Sequence, residues 1–160
     1  MRKELPTAEL NVYGANQTPE DAALHNPSNG VQVKGYCRSV ASTMKCHKLL
    51  VAPLRYGAGV KGKVLEAMLH GAVVVTTPVG VEGIASNTSF PGYVVERGAE
   101  DAAAFATTVV QALQDPERWE VLQREASEFM TKHFDEKQVQ KSLRDFLQTR
   151  WMNLLQDRER

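Results

Sequence analysis

Residues 48–71 read KLLVAPLRYGAGVKGKVLEAMLHG, and this stretch decides the fold. The apolar run Leu49-Leu50-Val51-Ala52 ends at Pro53, as a short strand covered on both faces does. A loop follows with Gly57, Gly59 and Gly62 and the cations Arg55, Lys61 and Lys63. A helical stretch from Lys61 to His70 then stops at Gly71. Strand, glycine loop and helix in this order make an anion site. Loop amides and the positive end of the helix dipole face the ligand, and cations complete the neutralisation.

The strands on either side agree. Glu9 to Gly14 alternates and holds Val12 and Tyr13, a short strand closed by glycine. Thr18-Pro19-Glu20-Asp21 is a helix start, with Thr18 as cap, Pro19 at the first position and Asp21 at the third. The dense turn Asn26-Pro27-Ser28-Asn29-Gly30 ends that helix. Val31 to Cys37 alternates as a second strand, and Ser39 to Lys45 is a short helix with Val40 and Met44 on one side. Beyond the central helix, Ala72 to Thr76 is a fourth strand of buried type, residues 77–83 are a loop, 84–91 show no period, and Gly92 to Glu96 is a fifth strand.

From residue 99 the pattern is helical. Glu100 to Leu113 sets Ala103, Phe105, Val109, Val110 and Leu113 on one side. Asp115-Pro116 starts a helix with the face Trp119, Leu122, Ala126, Phe129 and Met130. Asp135, with Gln138 three residues on, opens a last helix whose stripe is Val139, Leu143, Phe146, Leu147, Met152 and Leu155. Strands alternating with helices, then helices alone, predict an α/β fold with a parallel sheet. Ligands of such sheets bind beyond the carboxyl ends of the strands, where the loops after residue 52 and at 77–83 lie.

Composition narrows the function classes. A chain of 160 residues with 42% hydrophobic and 24% charged residues reads as one globular domain. Its formal net charge of zero provides no global attraction to nucleic acid, and no nucleic-acid partner is expected. Cys37 and Cys46 lack a CxxC spacing and read as reduced thiols. With no apolar leader and no long apolar run, the expected location is cytoplasmic, any membrane association being peripheral. The four histidines are scattered, so no metal site is expected. Gly57-x4-Gly62-Lys63 has the outline of a triphosphate-binding loop, but Val64 stands where magnesium needs a hydroxyl. No nucleophile elbow or triad surrounds Ser42-Thr43 or Thr76-Thr77, and no catalytic residue is assigned.

The segment APLRYGAGVKGKVLEAMLHGAVVVTTPVGVEGI closely resembles the C-terminal, donor-binding domain of GT-B group 1 glycosyltransferases. That family has a strand ending near proline, a glycine loop, a basic helix start, a Leu-Glu-Ala-Met helix, and a valine-rich strand with a second glycine loop. LNVYG, VQVKGY and residues 99–150 resemble its flanking elements, so the likeness spans residues 6–150.

The resemblance implies a Rossmann-like parallel sheet, half of a GT-B architecture, with 99–156 as its terminal helices. It implies a donor that is a UDP-, GDP- or ADP-linked sugar and an acceptor that is a glycan, a lipid or a polysaccharide precursor. Arg55, Lys61 and Lys63 would neutralise the diphosphate, aided by amides from Gly59 to Gly62, and the 78–83 loop would lie beside it. Fixed cations there would also stabilise the charge growing on the leaving group. Glu66 matches the second glutamate of the family's paired motif and would accept hydrogen bonds from the ribose hydroxyls. Arginine and lysine take the place of a divalent metal, and no cofactor is expected.

Two departures stand out. Alanine occupies position 58, where the paired motif has its first glutamate. The family's domain also opens with a strand and helix that this sequence does not show, a strand that would sit between those at 9–13 and 48–52. The chain therefore reads as a single, N-terminally incomplete nucleotide-sugar-binding domain over residues 1–160, completed by an acceptor domain or a partner. The competing expectation is a non-catalytic α/β interaction module that needs such a partner.

Overall fold

Strand and helix alternate along the chain in the computed structural model, which describes residues 4–85, 89–96, 101–137, 140–141 and 143–148. The order is β1 (Leu10–Tyr13), α1 (Pro19–Ala23), a single 3-10 turn (Pro27–Asn29), β2 (Val31–Gly35), α2 (Val40–Lys45) and β3 (Leu49–Ala52). It continues with α3 (Gly62–Leu69), β4 (Val73–Thr76), α4 (Pro78–Val81), β5 (Tyr93–Val94), α5 (Ala102–Gln114) and α6 (Pro116–Phe134).

Local chemistry explains most of the boundaries. At α1 the Thr18 hydroxyl accepts from the Asp21 amide while the Asp21 carboxylate accepts from the Thr18 amide, a reciprocal capping box. Ser39 caps α2, Asp101 caps α5, and Asp115 caps α6 with Pro116 in the first turn. Gly71 follows α3 at φ 84°, the left-handed turn that ends a helix cheaply only when the residue is glycine.

Among the described residues the paired strands are parallel, in two groups. β1 pairs with β2, and β3, β4 and β5 form a sheet in that order. No ladder joins β1 to β3. The two groups meet at His47, whose Nε2 lies 3.1 Å from Asn11 Nδ2 and whose ring stands edge-on to Tyr13.

The core lies around β4, in which every residue is buried. Its register sets Leu50 beside Val74 and Val51 beside Val75, and strand alternation sends these pairs to opposite faces. On one face Leu50 and Val74 pack with Val64, Ala67 and Met68 of α3 and with Ala126, Phe129 and Met130 of α6. On the other, Leu49, Val51 and Val75 pack with Phe105, Val109 and Ala112 of α5. Fully burying a valine contributes about 1.5–3 kcal/mol, so the run Val73–Val75 makes β4 the anchor of the fold.

Three sequence expectations change. Residues 78–81 form a short helix rather than a loop, with Pro78 preset for the first position and Thr77 at the N-cap position without a side-chain bond. Ala103 is exposed rather than part of the inner face of α5. Leu143, Phe146 and Leu147 are exposed on a helical segment rather than forming a buried stripe. The same periodicity forms the helix, but no described element covers that side. Cys37 Sγ and Thr43 Oγ1 lie 3.2 Å apart, and both cysteines are free thiols. Glu100, Gln138, Val139, Met152 and Leu155 lie outside the described residues.

Candidate functional site

The loops that leave the carboxyl ends of β3 and β4 lie side by side, stapled at their roots. The buried hydroxyl of Thr76 donates to the Ala52 carbonyl at 2.8 Å, and that of Thr77 donates to Leu54 at 2.7 Å. Farther out, a side chain at Gly83 would meet Val60 Cγ2 at 3.2 Å, so the tips of the two loops also touch. Gly80 must be glycine for a related reason: a Cβ there would sit 1.9 Å from Thr76 Oγ1.

Helix α3 starts inside this arrangement without a side-chain cap. Its N-cap position is held by Lys61, whose side chain has no acceptor atom to offer the first-turn amides. Thr77 likewise makes no side-chain cap to α4. The side-chain caps of α1, α2, α5 and α6 make the contrast plain: the two helices that begin at the β3 and β4 loops are left uncapped. Helix N-termini in this condition keep N–H groups and a partial positive charge for an anion.

The five residues singled out in the sequence take different places. Arg55 is exposed on the loop after β3, next to Tyr56, which is 87% exposed. Gly59, at φ 70°, forms the loop's outer turn. Lys63 is exposed in the first turn of α3, and Glu66 is exposed in the next. Lys61 differs from the other cations. Its ammonium donates to the carbonyls of Gly57 at 3.1 Å and Gly59 at 2.5 Å and pairs with Glu82 at 3.8 Å. Glu82, Thr76 and Thr77 therefore belong to the site's framework, although sequence reasoning did not single them out. The Thr-Thr-Pro run directly after a buried strand was the available signal for the two hydroxyls.

Among the described residues no group of three or more His, Cys, Asp or Glu side chains is placed to hold a metal ion. No described helix is long and apolar enough to cross a membrane.

Parallel strands flanked by helices, with loops and open helix N-termini at the strand ends, define an α/β protein of the Rossmann-like class. Within that class, the family model for group 1 glycosyl transferases matches residues 1–115, and the chain belongs to that family. Glycosyl transfer from a donor to an acceptor is the general role that this membership carries. Comparison with curated proteins gives no match.

Proposed function

We propose that the chain forms the donor-binding part of a transferase that moves a hexose from a nucleotide diphosphate sugar to a glycan, lipid or polysaccharide precursor. The diphosphate lies against the uncapped start of α3, with Arg55 and Lys63 meeting its charge and the amides from Gly59 to Gly62 completing the cradle. Glu66, one turn farther along α3, receives the ribose hydroxyls. The α4 loop lies on the other side of the diphosphate. The observation that carries this reading is the missing side-chain cap on α3 beside two exposed cations, in a chain of the group 1 family.

Calorimetric titration of UDP, GDP and ADP, with and without EDTA, tests the reading. At least one nucleotide should bind, and EDTA should leave its affinity unchanged. Arg55→Ala with Lys63→Ala should weaken that binding about tenfold or more, since a hydrogen bond to a charged group contributes about 1.5–3 kcal/mol. A folded sample that binds none of the three at millimolar ligand would remove the proposal.

The separation of β1 from β3 favours a second element of the reading: another strand, from a partner or a further part of the protein, completes the sheet. It also keeps alive the alternative of a non-catalytic interaction module. The same double variant separates the two, because such a module keeps its partner when Arg55 and Lys63 are lost.

A further inference from the structure

Lys61 is one of three cations around the loop, yet its charge is directed inward. Its ammonium has three N–H donors. The Gly57 and Gly59 carbonyls accept from it at 3.1 and 2.5 Å, and the Glu82 carboxylate lies 3.8 Å away. The Lys61 side chain is only 11% exposed, against 61% for Glu82. Gly57 and Gly59 have φ values of 139° and 70°, backbone settings that glycine adopts freely and, lacking a side chain, does nothing to hold. The loop thus has ample freedom of its own, and Lys61 gathers it from within. The aliphatic part of Lys61 also runs close under Gly57, where a Cβ would meet Cε at 3.3 Å. Because Glu82 follows α4, the same ammonium ties the loop after β3 to the loop after β4.

We infer that Lys61 is a positioning residue rather than a phosphate ligand. It is a clip that fixes the glycine loop's shape and the spacing between the start of α3 and the C-terminal end of α4. The inference deepens the proposed donor site and rests on it for its functional consequence, while the clip itself is a property of the protein without nucleotide. A phosphate oxygen reaching Lys61 would have to compete with two backbone carbonyls and a carboxylate. Arg55 and Lys63 are both exposed, and they carry the anion's charge.

Hydrogen exchange of the full chain, without nucleotide, reads the clip directly. Lys61→Met keeps the aliphatic stem and removes the ammonium, and Glu82→Gln removes only the negative end. In Lys61→Met, exchange across 54–61 should rise about tenfold while α5 and α6 keep their protection, the signature of local opening. Glu82→Gln should raise exchange in the same segment to a smaller degree. With UDP as probe, Lys61→Met should weaken binding and Glu82→Gln should fail to strengthen it.

A direct phosphate ligand gives the opposite pattern: releasing Lys61 from Glu82 strengthens UDP binding, and loop exchange in Lys61→Met stays at the wild-type rate. Either result overturns the inference. If loop exchange rises as expected but wild type binds no nucleotide, the clip stands and the donor-site reading falls.

Discussion

The β1–β2 pair and the β3–β4–β5 sheet are both parallel and both rich in valine, but they are held in different ways. β4 is covered by α3 and α6 on one face and packs toward α5 on the other, and all of its residues are buried. In β1 and β2 every residue is half-buried or exposed. The difference lies in what covers the strands rather than in their propensity, and Gln32 and Lys34 in β2 show a sequence already written for one wet face. Stability should therefore be concentrated in the half that carries the candidate site.

The largest expected effect comes from breaking the covered half. Met68 and Leu122 are both almost fully buried, on α3 and α6 respectively. Met68→Ala or Leu122→Ala should cost about 2–5 kcal/mol, the range for truncating a large apolar side chain in a close-packed core. Val33→Ala in half-buried β2 should cost roughly 1 kcal/mol or less, because less apolar area is lost and the site collapses more easily. Denaturant melts of the three variants give the comparison directly. Equal losses at Met68 and Val33 would show that the two halves share one core.

Gly80→Ala should come next. The added methyl would lie 1.9 Å from Thr76 Oγ1 and 3.0 Å from Thr76 Cβ, so either α4 moves or Thr76 gives up its bond to Ala52. Overpacking of this kind costs about 1–3 kcal/mol. Unlike Met68→Ala, it should also disturb the spacing of the β3 and β4 loops, seen as faster amide exchange at 77–85 than the loss of stability alone accounts for.

These elements also mark how far sequence reasoning reaches. Thr18-Pro19 with Asp21, and Asp115-Pro116, announced their helices because a cap acts over three residues and leaves its chemistry in the local sequence. The strand 49–52 and the buried run 73–76 were legible from uninterrupted apolarity. Helix α4 was not, since Gly80 is a poor helix former and is present because Thr76 leaves no room for a side chain. The direction of Lys61 was hidden for a similar reason. It depends on two glycine φ angles and on Glu82, a residue 21 positions away by the numbering. Periodicity placed Leu143, Phe146 and Leu147 on one helical side, but a period carries no information about what covers that side. Asn11 shows the same limit within β1: its Oδ1 is buried without a hydrogen-bond partner among the described residues, at the boundary between the two strand groups.

The smallest effect sharpens the comparison at the rim of the well-covered half. Tyr93 begins β5, the outer strand of that sheet, and packs toward α5. Burial raises its phenol above the ordinary 10.0, the Asp115 carboxylate raises it further, and Arg118 opposes them. The folded state therefore keeps this proton to higher pH than the unfolded chain does. The stabilisation is complete below pH 10 and is lost as pH rises through the folded-state value above it, because the unfolded chain then binds fewer protons. Ultraviolet titration of phenolate should show a late component that disappears in Tyr93→Phe. Asp115→Asn should move that component back toward the ordinary value without uncapping α6, since asparagine also caps helices well. If the late component persists unchanged in Asp115→Asn, the carboxylate has no part in holding the proton and burial alone sets it. If it is absent from wild type, β5 is no better covered than β1, and the contrast between the two halves ends at β4.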